Sequence, residues 1–311
     1  MKNSNAGVAR LILLHPYIHK QGGSNRLWLL AFVSFFAVVF LGSLVYTRYY
    51  LACRGAASST AGMATASSNA LLPTSVMNTL LHYASKSNDT YHMTHAEMKL
   101  ISDALRKCPS PCNFLVFGLT GETLLWKALN VNGRTIVIEE NRYYAAYFEE
   151  LHPWIEVFDV QYTTKIREMK QLLASAKEQV KSDCRPVQNL LFSECKLGLN
   201  DLPNHIYEIA WDLILIDGPR GNGPDEPGRM SPIYTAAVLA RTKGSASGKT
   251  HIFLHDYYGA VERLYAEEFL CKENLVANVN GILAHFLVSR TEDSRAAQFC
   301  RNRTSGSAEH Q

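Results

Sequence analysis

Charge is missing from one part of this sequence. No charged side chain occurs from Leu27 to Thr47, and no acidic one occurs in the 26 residues before that run. At about 1.5 Å per residue, the uncharged run is long enough for a helix to cross a hydrocarbon core of ~30 Å. Trp28 and Tyr46 sit near its ends, where amphipathic rings favour a membrane interface. A cleaved signal peptide is the alternative, but its apolar core spans only about 7–15 residues. The leader carries Lys2, Arg10, Lys20 and Arg26. Positive flanks stay cytosolic, so residues 1–26 read as a cytosolic tail and 27–47 as a membrane anchor. The remainder is then lumenal. It has 27 basic and 28 acidic side chains, so it lacks the clustered basic footprint that nucleic acid requires.

Several chemical signatures are also missing. The chain has no G-x-S-x-G elbow, no G-x-x-x-x-G-K-[ST] loop and no H-E-x-x-H helix. Simple lipase, P-loop and zincin chemistry therefore lack support. No internal repeat is visible. The stretch 53–70 is rich in Ala, Ser, Thr and Gly. It cannot bury enough surface to fold, so 48–72 reads as a flexible stem.

Cysteine is present in a number that matters. Cys53 lies just beyond the anchor, and six more follow at 108, 112, 184, 195, 271 and 300. In an oxidising lumen these allow up to three disulfides, with Cys184–Cys195 the favoured local pair. Free buried thiols and a zinc site are the alternatives, although no His stands at zinc-ligand spacing. Asn88-Asp89-Thr90 and Asn302-Arg303-Thr304 are glycosylation sequons.

Residues 73–300 read as one α/β domain, followed by a disordered tail at 301–311. Apolar periodicity predicts two short helices over 73–107. Strands are then expected at 113–118, 134–139, 156–162, 211–217, 251–255 and 281–288. Helices are expected at 121–130, at 141–151 with Asn141 as cap, at 163–182 and at 257–270. Continuous apolar strands alternating with helices imply a doubly wound, mostly parallel Rossmann-like sheet. Ligands of such sheets bind at the carboxyl ends of the strands.

Five loops qualify. Gly118-Leu119-Thr120-Gly121 is a fragment of a glycine-rich cofactor turn, or else a plain strand-to-helix turn. Glu139 and Glu140 lie 21 and 22 residues beyond Gly118. A carboxylate there can accept both hydroxyls of a ribose, or simply open a helix. Asp217 ends a buried strand, and Arg220 and Arg229 can clamp an acceptor carboxylate; surface arginines are the bland alternative. His255 and Asp256 can act as general base or hold a divalent ion, or Asp256 can cap the next helix. Tyr162-Thr163-Thr164 is ranked first as a helix cap and second as an adenine contact.

These residues carry a resemblance. The segments PCNFLVFG at 111–118, WDLILID at 211–217, PGRM at 227–230 with IYTA at 233–236, and His255-Asp256 resemble the plant xylan-biosynthesis family that contains glucuronoxylan 4-O-methyltransferases. LHPY at 14–17, NRLWLLAFVSFF at 25–36 and RYYAAYFEELHP at 142–153 look closer to its irregular-xylem 15 and irregular-xylem 15-like branch.

The resemblance implies an S-adenosylmethionine methyltransferase type of fold in a Golgi type II membrane protein of secondary-wall xylan synthesis. The implied acceptor is the 4-hydroxyl of glucuronic acid on xylan. Gly118, Thr120, Gly121, Glu139 and Glu140 would hold the cofactor. Asp217, His255 and Asp256 would be catalytic, and Arg220 and Arg229 would bind substrate. The methyltransferase members read Gly-Leu-Gly-His where this chain has Gly118-Leu119-Thr120-Gly121. That departure keeps a second expectation open: a non-catalytic scaffold or chain-length factor within a xylan synthase assembly. A nicotinamide or nucleotide-sugar enzyme on the same sheet ranks third.

Overall fold

The computed structural model describes residues 34–44, 46, 72–87, 92–242, 248–291 and 298–301. Residues 1–66 and 67–311 form two separate units. In the first, 34–44 are helical, and the apolar side chains Phe35, Phe40 and Leu41 are exposed. Among the described residues, no helix is long and apolar enough to cross a membrane. Much of the expected anchor at 27–47 lies outside the described residues. So do the leader, most of the stem, Asn88, Asn302 and most of the tail.

The second unit opens with helices α1 (Thr74–Ala84) and α2 (His95–Lys107). Thr94 and Glu97 close a reciprocal capping box at the start of α2. The alternating part then runs β1 (Asn113–Phe117), α3 (Thr123–Leu129), β2 (Arg134–Glu139), α4 (Arg142–Leu151) and β3 (Glu156–Asp159). It continues through α5 (Met169–Glu178), α6 (Asn204–Glu208), β4 (Leu213–Ile216), α7 (Met230–Thr242), β5 (Lys249–Leu254) and α8 (Ala260–Tyr265). β6 (Leu275–Val279) and β7 (Leu283–Ser289) complete a seven-stranded sheet of order β3-β2-β1-β4-β5-β7-β6. The first five strands are parallel, and β7 is antiparallel to both β5 and β6. This is the expected Rossmann-like, mostly parallel sheet.

Both faces of the sheet are covered, which explains the unbroken apolar strands. Alternate residues still divide. Leu115, Ile136, Ile214 and Ile252 pack with α5, α6, α7 and α8 on one side. Phe114, Val137, Leu215 and Phe253 pack with α1, α2, α3 and α4 on the other. Disulfides join Cys108–Cys112, Cys184–Cys195 and Cys271–Cys300. The favoured local pair is formed, and the other four sulfurs also close bridges. These six sulfurs are therefore neither free thiols nor zinc ligands.

Five expectations need correction. β6 was not expected; its sequence LVANV lies at an edge, with half-buried and exposed residues alternating, so it has no continuous apolar run. The third strand ends at Asp159 rather than 162. The helix expected over 163–182 begins only at Met169, after a 3-10 turn at Ile166–Glu168. The N–H groups of Ile166 and Arg167 donate to Glu226 and Pro224, so this turn is tied to the loop after β4. The Thr164 hydroxyl donates to the Pro227 carbonyl and does not cap a helix. Finally, α8 starts from Gly259, not from Asp256.

On β5 and β7 the rings of His251 and His285 stack, with Nδ1 and Nε2 2.9 Å apart. Burial, then the charge of His251, pushes His285 down to about 4; burial, then Lys107, lowers His251. Both rings therefore take up protons less readily folded than unfolded. Stability from this pair is complete above about pH 6.5 and falls as pH drops toward about 4. His285→Gln is expected to shrink the drop in melting temperature between those limits. An equal drop in the variant and the parent chain would reject this assignment.

Candidate functional site

The site starts from two glycines. β1 has β2 on one side and β4 on the other, so the loops leaving β1 and β4 diverge from adjacent strand ends. Gly118 ends β1 at φ +103°, and a Cβ there would lie 2.7 Å from the Gly218 nitrogen. A Cβ on Gly218 would lie 2.7 Å from the Gly118 Cα. The strand ends touch backbone to backbone, and only glycine permits it. Above them the loops part and two cavities open.

The first cavity lies over β1, β2 and β4. Gly118, Thr120, Ile138, Glu139, Glu140 and Tyr162 line it, and Asp217 and Arg220 close its far side. Glu139 is buried and braces the loop. One oxygen accepts from the Leu119 N–H at 2.9 Å, and the other accepts from the Asn141 N–H at 3.0 Å. Asn141 in turn caps α4, as expected. Glu140 is exposed at the rim. Burial, then the charges of Glu139 and Glu226, raises its pKa, while the backbone and charge of Arg220 pull it down. Thr120 has an ordinary backbone conformation, so its Cβ adds no strain there. Gly121, expected with these residues, is exposed and does not line the cavity.

These walls test a cofactor by charge. Three carboxylates (Glu139, Glu140, Asp217) face one cation, Arg220. The N–H groups of Gly118, Leu119 and Thr120 donate to Ile138, Glu139 and Thr123. No nest of N–H groups is left at these three positions for a pyrophosphate. Nicotinamide and nucleotide-sugar ligands are therefore poorly matched. A nucleoside carrying a cationic group fits, with Glu140 placed to accept from a ribose diol.

The second cavity lies over β4 and β5 and shares Asp217 and Arg220 with the first. Its floor is an ion cluster. The Arg229 guanidinium, 4% exposed, donates to Asp256 at 2.7 Å and to Glu262 at 3.1 Å. It also donates to the Asp217 carbonyl at 3.2 Å and lies 3.7 Å from the Asp217 carboxylate. Burial works against the charged guanidinium, but the three carboxylates outweigh it and raise its pKa. Asp256 sits at φ +54°, an uncommon conformation for a non-glycine residue, and its carboxylate is held by Arg229.

His255 completes the cluster. Its Nδ1 lies 2.8 Å from the Asp217 carboxylate. Burial alone would lower its pKa. The hydrogen bond and charge of Asp217, helped by Asp256, prevail over burial and over Arg229, so the pKa is raised.

Asp217, His255 and Asp256 thus come together as expected. Arg229 does not act as a clamp for an acceptor carboxylate, because the chain's own acids occupy it. A divalent metal is not supported either. The carboxylates that could ligate one enclose Arg229, and His255 Nδ1 is engaged by Asp217. Sequence reasoning missed Glu262, an acid inside a helix with no local signature. It also missed Glu97, whose capping-box spacing is legible but whose place in the cavity wall is not.

The sequence model of the family described as IRX15/IRX15L/GXM matches residues 96–286. The Arabidopsis thaliana protein named Protein IRX15-LIKE is 60% identical over 308 residues, covering 97% of this chain and 96% of that protein. Protein IRREGULAR XYLEM 15 of the same plant is 58% identical over 315 residues, covering 97% of each. Its Glucuronoxylan 4-O-methyltransferase 3 is 38% identical over 229 residues, 74% of each chain.

The ion cluster yields two expectations. Arg229→Met leaves three carboxylates without their counter-charge and is expected to destabilise the fold by roughly 3–5 kcal/mol, read from the urea midpoint. A negligible shift would mean that the cluster does not hold the loops. Asp217→Asn removes the charge that raises His255 and weakens its hydrogen bond. Its imidazole, followed by NMR, should then titrate at lower pH than in the parent chain.

Proposed function

Because the chain belongs to the IRX15/IRX15L/GXM family, we propose that its α/β domain transfers a methyl group from S-adenosylmethionine to a sugar hydroxyl in xylan biosynthesis. The observation that carries this reading is the shared wall. Asp217, braced on one side and bonded to His255 on the other, borders both the acidic cavity and the second cavity.

In the first cavity Glu140 accepts from the ribose hydroxyls, while Ile138 and Tyr162 supply apolar walls for a base. Glu139 keeps the Gly118 turn in shape. The surplus of carboxylates favours a cationic ligand. The bound cofactor would supply an electrophilic methyl carbon on a positively charged sulfur. In the second cavity His255 holds one ring nitrogen against Asp217 and presents the other as proton acceptor for the sugar hydroxyl. Asp217 fixes the tautomer and stabilises the imidazolium that forms. Arg229 keeps Asp217 and Asp256 in place. The acceptor implied by the sequence resemblance is a glucuronic acid hydroxyl on xylan.

The same reading places the domain in the Golgi lumen, behind a type II anchor at 27–47, with Asn88 and Asn302 available for glycosylation and with a role in secondary walls. Three disulfides in the described residues support an oxidising compartment.

One observation favours the scaffold alternative. Thr120 stands in the first cavity, and the turn's N–H groups at 118–120 are all engaged within the protein. Titrating S-adenosylmethionine into the folded full-length chain in detergent separates the two. Saturable binding that weakens in Glu140→Gln supports methyl transfer. A folded chain that gives no binding heat rejects it in favour of the scaffold. For a binding-competent chain, His255→Gln is expected to lower turnover by about 10²–10⁴-fold with cofactor affinity kept. Turnover of the parent chain should rise with pH through the raised His255 pKa, as the ring becomes neutral.

A further inference from the structure

The turn from His255 to Gly259 is pinned along its length. His255 is bonded to Asp217, and Asp256 is held at φ +54° by Arg229. The Tyr257 N–H donates to the Ile282 carbonyl at 2.8 Å, and the Tyr257 ring meets Phe286 edge-on at 6.0 Å. The Gly259 N–H donates back to the Asp256 carbonyl at 2.8 Å. A Cβ at Gly259 would collide with the Glu262 carboxylate, so the turn closes only on glycine.

Two adjacent tyrosines in this turn have opposite fates. Tyr257 is 9% exposed, whereas Tyr258 is 65% exposed and lines the second cavity together with His255. A single exposed tyrosine is ordinary on a protein surface. This one stands at the mouth of a cavity whose walls are otherwise almost wholly polar. Apart from Tyr258, the one large apolar side chain lining it is Ile282.

Hydrogen-bonding walls with one flat ring at the mouth match a pyranose. Equatorial hydroxyls point outward from such a ring toward polar walls. Its axial C–H bonds form an apolar face, which the negative face of an aromatic ring attracts. The cavity, of about 380 Å³, suits a ligand of that size. A xylose ring and a glucuronic acid ring both carry such a C–H face, so the contact does not depend on the charge of the sugar.

We infer that Tyr258 is a stacking residue for the acceptor: it holds a pyranose ring of the polymer across the mouth of the second cavity, beside His255. Only the word acceptor rests on the methyl-transfer reading; the stacking contact does not.

The test uses two probes on the full-length chain in detergent: xylotetraose, and the same tetraose bearing one glucuronic acid. Affinities are read by calorimetry without cofactor. Tyr258→Ala is expected to weaken the acid-bearing probe about tenfold, which corresponds to about 1.4 kcal/mol. An equal loss with xylotetraose places a xylose ring on Tyr258, and a loss confined to the acid-bearing probe places the glucuronic acid ring there. Tyr258→Phe keeps the ring and is expected to bind like the parent chain. Tyr258→Leu keeps apolar bulk without the ring and is expected to bind as weakly as Tyr258→Ala. Melting temperatures should stay at the parent value, because the side chain is largely exposed. Should Tyr258→Ala melt lower, the Phe and Leu variants decide.

Unchanged affinity in Tyr258→Ala overturns the inference. So does full affinity in Tyr258→Leu, and so does a parent chain that binds neither probe. S-adenosylmethionine binding with sugar affinity indifferent to Tyr258 removes this contact and leaves methyl transfer standing. Sugar binding that depends on the Tyr258 ring, in a chain that does not bind S-adenosylmethionine, does the reverse.

Discussion

The rest of the site depends on one buried cation. Arg229 comes from the loop before α7, Asp217 from the end of β4, Asp256 from the turn after β5 and Glu262 from α8. Four separate segments are therefore fixed by one guanidinium. Burying such a group is expensive, and attraction to its partners offsets that cost only when the geometry is good. Here three carboxylates converge on it, and the guanidinium itself is buried. The arrangement contributes little net stability by itself. Its value lies in register, because it holds Asp256 in an uncommon backbone conformation and keeps Asp217 turned toward His255.

The glycine contact at the end of β1 and β4 supplies the other constraint. Gly118 and Gly218 leave no room for a side chain between the strand ends, so the loops must separate above them. That separation makes two cavities with a common wall instead of one broad cleft. Their charges then sort ligands. The first is acidic and its turn has no spare N–H groups at 118–120, so its walls suit a cationic ligand better than a phosphate. The second is acidic around a fixed arginine. One wall residue, Asp217, feels both environments.

Much of the fold was legible in the sequence because burial on both faces leaves unbroken apolar strands. β1, β2, β4 and β5 show it, and so do Asn141 as a cap and Cys184–Cys195 as a local bridge. What failed depended on contacts distant in sequence. The turn at 166–168 is held by carbonyls near 225, so periodicity alone extended a helix through it. β6 is an edge strand and lacks the apolar run. Candidate site residues were found where strand ends and carboxylates coincide, as at Glu139, Asp217 and His255. The role of Arg229 was not legible, since a sequence displays a charge but not the acids that surround it. Glu97 and Glu262 were hidden for the same reason. Each is an ordinary helical acid until the fold places it beside a cavity.

The histidines add a last constraint, because their environments oppose each other. His255 has a raised pKa, so its bond to Asp217 stabilises the fold most at low pH, and that stability is lost as pH rises through the raised value. His251 and His285 have lowered pKa values, so their stacked pair favours the fold at higher pH and weakens it in acid. A base at His255 must be neutral to work, which is the state in which its own contribution to stability is smallest. The stacked pair lies on β5 and β7, away from the cavities, and is strongest under those same conditions. The neutral ring at His255 forms above the usual histidine range, where the stacked pair already contributes in full, so the pair's support is in place before the ion cluster gives up its own.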